Sequence, residues 1–64
     1  MIVNGKEIIL EKPLNLLEYI QSVGHKVEHV AVEKNGTIVP RANFATEMLY
    51  NEDSIEIVCF VGGG

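Results

Sequence analysis

Sixty-four residues make one domain at most, and a chain of this length buries only about 60% of the surface its unfolded form exposes, which leaves no room for a deep catalytic cleft beside a core. Hydrophobic residues make up 47% of the sequence, the range of globular chains rather than disordered ones, and no run approaches the ~18 apolar residues of a membrane span. Five basic against nine acidic residues leave a net charge of −4, which argues against nucleic-acid binding and is compatible with a basic surface on a protein partner.

The opening stretch, MIVNGKEIIL, is two short apolar runs around Asn4-Gly5, the dipeptide that best tolerates the positive φ angles of a tight hairpin turn. It lacks a basic region followed by a long apolar run, so the chain reads as soluble and cytoplasmic. Pro13 closes the strand region, because proline has no N–H for a ladder. Asn15 with Glu18 three residues later is a capping-box pattern, and Leu14 with Tyr19 suits a hydrophobic staple. Leu16, Leu17, Ile20 and Val23 recur at helical spacing, and Gly24 is placed to end the helix after two or three turns. HVAVEKNGTIVPR predicts a second hairpin around Asn35-Gly36, with a short return strand ended by Pro40. RANFATEMLYNED is less regular and predicts a helical turn that plants Phe44 and Leu49 in the core, followed by a polar turn at Asn51–Asp53. SIEIVCFV predicts the last strand. One helix between two hairpins covers one face of a sheet. The expected class is α+β, a ubiquitin-like β-grasp with a mixed sheet of four to five strands on one main helix. Residues 1–61 would form the domain and 62–64 a flexible glycine tail.

Few residues suggest chemistry. His25 and His29 have the spacing of helical metal ligands, but Gly24 has ended the helix and nothing completes a coordination set, so no metal is expected. No serine has a nucleophile context, and neither Asn-Gly pair is a phosphate cradle. Alternation puts Ile55, Ile57 and Cys59 on one face of the last strand, so Cys59, the single cysteine, reads as a buried structural thiol that forms no disulfide. Glu56, Val58 and Phe60 share the other face. Glu56 marks that face as solvent, and the two apolar residues beside it either mark a docking surface or lie under a neighbouring loop. Glu52, Asp53 and Glu56 would speed association with a basic partner. The three glycines Gly62–Gly64 reach about 10 Å when extended and carry no side chains, so they suit threading into a narrow channel. A carboxylate on the last of them is a poor electrophile until adenylation supplies a leaving group.

VNGKEI, VAVEKNGTIVPR, Phe44 and EDSIEIVCFVGGG together resemble the thiamin-biosynthesis sulfur carrier family, ThiS, over nearly the whole chain. The IVPR step and the final Gly-Gly are the most specific parts. Departures are Phe44 where the family often has Trp, and the extra Gly62. The resemblance implies a β-grasp carrier rather than an enzyme, with no bound cofactor. An E1-like adenylating enzyme would use ATP to make an acyl-adenylate on Gly64. Sulfur from a cysteine desulfurase would replace AMP, giving a Gly64 thiocarboxylate that serves thiazole synthase. Gly62 and Gly63 would thread, while Glu56, Val58 and Phe60 would dock. Three alternatives share the features: a carrier of the molybdopterin synthase small-subunit type, a ubiquitin-like modifier, and a regulatory β-grasp binding module.

Overall fold

The computed structural model describes residues 1–60; the expected tail and the 61/62 domain boundary lie outside the described residues. In chain order the elements are β1 (Ile2–Val3), β2 (Lys6–Glu7), β3 (Leu14–Asn15), α1 (Leu16–Ser22), β4 (Val30–Lys34), β5 (Thr37–Val39), β6 (Met48–Leu49) and β7 (Ser54–Cys59). Single 3-10 turns occupy Val27–His29 and Arg41–Asn43. Both predicted hairpins form. Asn4-Gly5 has φ of 50° and 83°, and Asn35-Gly36 has 52° and 83°, so both central residues are left-handed and the turn twist matches that of the strands.

Five strands make one sheet in the order β2-β1-β7-β4-β5. β1 and β7 run parallel and the other neighbours antiparallel, which makes the sheet mixed. Its inner face presents Ile55, Ile57, Val30, Val32 and Val39, all buried, to Leu16 and Ile20 of α1. This is the ubiquitin-like β-grasp that the element order predicts. Phe44 and Leu49 enter the core from the stretch after Pro40, also as predicted.

The helix is bounded by local chemistry. The Glu18 N–H donates to Asn15 Oδ1 at 3.0 Å. Among the described residues the Glu18 side chain makes no return bond, so only half of the capping box forms. The other end of the Asn15 amide donates to the Ala45 carbonyl at 2.7 Å and ties the helix start to the loop opposite. At the far end Gly24 has φ +87°. Its N–H reaches the Gln21 carbonyl and the His25 N–H reaches that of Ile20, both at 3.1 Å, which is a Schellman closure. Val23, expected on the apolar face, is exposed, because it is the C-cap and the chain has already left the helix there. A second ladder, β3 against β6, pairs Leu14 with Leu49 and Asn15 with Met48. Two residues per strand are too few to show alternation, so this pairing is invisible in the sequence.

Asparagine side chains extend the ladders where backbone runs out. The Asn4 amide donates to the Ile57 carbonyl at 3.1 Å and accepts from the Ile57 N–H at 2.8 Å, one step beyond the last β1–β7 pair. Asn51 does the same with both backbone groups of Leu10. Asn35 accepts from the Ser54 N–H and donates to Asp53 Oδ1, both at 2.9 Å.

Asp53 is the one buried charged residue among those described, at 9% exposure. Burial pushes its carboxyl up, but the Asn35 amide, the Tyr50 N–H and the Lys34 ammonium together hold it below the usual carboxylate value. Lys34 bonds Glu47 at 2.8 Å and lies 3.6 Å from Asp53. A carboxyl depressed in the folded state stabilises above its unfolded pKa, and that contribution is lost as pH falls through the folded value. Asp53→Asn should therefore cost about 1–3 kcal/mol at pH 7, by urea unfolding, because Asn35 and Tyr50 donate to separate oxygens and an amide replaces one of those with a donor NH2. The gap to the parent should narrow in acid, below about pH 4. A gap independent of pH would contradict the role given to the Asp53 charge.

Candidate functional site

β7 lies in the middle of the sheet and divides its side chains between two faces. Ile55 and Ile57 point inward to the helix. Glu56 and Val58 point outward, and Phe60 follows just past the strand, where it lines a groove with Ala31 and Ile38. Val58 is 59% and Phe60 44% exposed, so the predicted apolar patch is open to solvent.

Pairing across the sheet widens this patch. Val58 lies opposite Ala31, Glu56 opposite Glu33, and Glu33 opposite Ile38, which is 70% exposed. The outer face is therefore an apolar band of Ile38, Ala31, Val58 and Phe60 with an acidic pair set into it. The sequence signals for Ala31, Glu33 and Ile38 are local: alternation in VAVEK places the first two on one face, and the two-residue Asn-Gly turn puts Ile38 opposite Glu33. Like charges directly opposite on neighbouring strands destabilise a sheet. The free protein thus carries a local cost on a face that also exposes Ile38 and Val58.

Two expectations need correction. Asp53 was expected to steer partners, yet it is buried and engaged by Asn35, Tyr50 and Lys34. Glu33 stands in its place beside Glu56, and Glu52 remains exposed. Cys59 was expected in the core, yet it is exposed. Its register is as predicted, since it pairs with the buried Val30 on the inner face. The helix fails to cover it. Seven residues rise only about 10 Å, so α1 stops short of this end of β7. The loop after Gly24 comes near instead, and Cys59 Sγ sits 3.3 Å and 3.5 Å from the two ring nitrogens of His25. Sulfur so nearly equidistant from both is not aimed at either. Between the helix end and β7 lies an open depression of about 380 Å³, bordered by His25, Lys26, His29, Cys59 and Phe60.

Among the described residues no three His, Cys, Asp or Glu side chains are grouped to hold a metal ion. No helix there is long and apolar enough to cross a membrane. Gly62, Gly63 and Gly64, the expected threading and modified residues, lie outside the described residues.

The ThiS family profile matches residues 1–64. A thiamine biosynthesis protein (ThiS) from Geobacter metallireducens superposes with a TM-score of 0.80 at 32% identity, covering 98% of this chain and 96% of that one. The chain is 33% identical over 64 residues to a thiazole synthase of Paramagnetospirillum magneticum, and spans 20% of that protein's length. It is 31% identical over 62 residues to the protein ycf40 of Porphyra purpurea, covering 97% of this chain and 87% of that one.

The acidic pair can be tested in the free protein. Glu33→Lys turns a repulsive cross-strand pair with Glu56 into an attractive one, so denaturant unfolding at low salt should show a gain of about 0.2–1 kcal/mol that shrinks as salt is added. A loss of stability would mean that Glu33 and Glu56 do not face each other as the register requires.

Proposed function

We propose that this chain, which belongs to the ThiS family, is a sulfur carrier of thiamin biosynthesis, a protein cosubstrate rather than an enzyme. Residues 1–61 are the part a partner grips, and Gly62–Gly64 the part it receives. The observation that carries the reading is the open apolar band around Val58 and Phe60, at the end of the strand that precedes the glycines in sequence. A partner holding that band holds the chain a few residues from the reacting group.

The chemistry follows from the carboxylate. As an anion at neutral pH the Gly64 carboxyl resists nucleophiles. An E1-like enzyme would let its oxygen attack the α-phosphorus of ATP, expelling pyrophosphate and leaving an acyl-adenylate. Sulfide, released by a thiol reductant from the persulfide of a cysteine desulfurase, would then attack the carbonyl carbon and expel AMP. The product is a thiocarboxylate whose sulfur passes to thiazole formation. ATP belongs to the adenylating partner, and the carrier itself needs no bound cofactor. Glycine at the reacting end leaves the carbonyl unhindered.

Each partner would meet the same outer face. Burying Phe60 is worth roughly 1.5–3 kcal/mol, enough to set affinity by tenfold or more. Glu33 and Glu56 would act chiefly on association rate with a basic surface, and their mutual repulsion would be relieved by a cation set between them. Support for thiazole synthase as one partner comes from the thiazole synthase that contains a stretch similar to the whole of this chain.

The test is intact mass after incubation with an adenylating enzyme, ATP and a sulfur source. The parent should gain the mass of one oxygen replaced by sulfur. Removal of Gly63 and Gly64 together, which leaves no terminal Gly-Gly, should abolish the gain with the fold intact, and Cys59→Ala should keep it. No gain in the parent, or loss of the gain in Cys59→Ala, would overturn the assignment. Recovery of the chain linked to lysine of other proteins would favour a ubiquitin-like modifier.

A further inference from the structure

The backbone of Phe60 is the last described link between the fold and the glycines, and its anchor is indirect. Its N–H donates to the His29 carbonyl at 2.9 Å, one step past the final β4–β7 pair, Val30 with Cys59. His29 belongs to a 3-10 turn that precedes β4, so the acceptor sits at the end of a strand rather than inside one.

The other edge of the same segment is held by a side chain. The β4–β5 register pairs Val32 with Val39; carried two steps on, it would bring Val30 opposite Arg41. The backbone ladder cannot continue that way, because Pro40 has no N–H and turns the chain into the Arg41–Asn43 turn. The Arg41 guanidinium makes up the deficit. Its Nε donates to the Val27 carbonyl at 3.0 Å, and its Nη2 to the Val30 carbonyl at 3.3 Å. These two acceptors bracket His29. The start of β4 is thus gripped by Arg41 from one edge and read by Phe60 from the other.

We infer that Arg41 is a positioning residue for the carrier's reacting end: it fixes the His29 carbonyl, which fixes the Phe60 backbone and so where residues 61–64 begin. Two donors set in one planar fork suit two carbonyls three residues apart, whereas a lysine ammonium is a single point on a flexible stem. The kinetic part of this inference rests on the carrier reading above; the structural part rests on the hydrogen bonds alone.

The experiment compares Arg41→Met and Arg41→Lys with the parent. By amide hydrogen exchange, Arg41→Met should speed exchange at Phe60 by about tenfold, while amides of Val32 and Ile57 in the middle of the sheet stay near the parent rate. Arg41→Lys should fall between. In adenylation assays with the carrier as variable substrate, Arg41→Met should lower kcat by about tenfold or more and leave KM within about twofold, because the chain still docks but presents its end poorly. A merely structural defect reads differently: unfolded carrier is not substrate, so KM would rise at unchanged kcat. If Arg41→Met fails to fold, Arg41→Lys carries the same comparison. Unchanged Phe60 exchange in a folded variant overturns the inference, as does a KM rise alone. If the parent itself forms no adenylate, the carrier reading fails and the exchange result alone decides the role of Arg41.

Discussion

The register of β7 between β1 and β4 is the constraint from which the rest of the structure follows. A slip of one residue would send Ile55 and Ile57 into solvent and Glu56 into the core. Two turn residues guard against it. Asn4 and Asn35 adopt the left-handed conformation their hairpins need, and the same side chains clasp β7 at Ile57 and at Ser54. Each asparagine therefore serves a local turn and a distant strand at once. Alanine would lose both roles, and aspartate could accept from β7 but could not donate as Asn4 does to the Ile57 carbonyl and Asn35 to the Asp53 carboxylate.

With β7 fixed, the two faces of the sheet take opposite tasks. The inner face closes on a short helix and leaves the chain compact. The outer face keeps apolar side chains in water and sets two carboxylates against each other. Neither feature helps the free protein. Both suit a surface that is covered part of the time by a partner with basic groups, and Val58 and Phe60 lie beside the point where the chain leaves the sheet.

Much of this was legible in the sequence because its causes are local. Asn-Gly at both turns, Asn15 before the helix, Gly24 after it and the alternation of SIEIVC each encode a conformation within a few residues. What stayed hidden depends on distances no local pattern carries. Cys59 has core register but lies beyond the reach of a seven-residue helix. Asp53 looked like one more acid in a polar turn until Asn35, Tyr50 and Lys34 converged on it from elsewhere. The β3–β6 ladder is too short to have a pattern, and Glu33 joined Glu56 only once two strands were laid side by side.

The central claim is that partners grip the outer face of β4, β5 and β7 and receive the chain that leaves it. An amide NMR titration of the labelled protein with the proposed partner, an E1-like adenylating enzyme, tests this directly. Signals of Ala31, Glu33, Ile38, Glu56, Val58 and Phe60 should broaden or shift most, while exposed helix residues such as Glu18 and Gln21 stay in place. Perturbations centred on the helix, with the outer face unchanged, would contradict it.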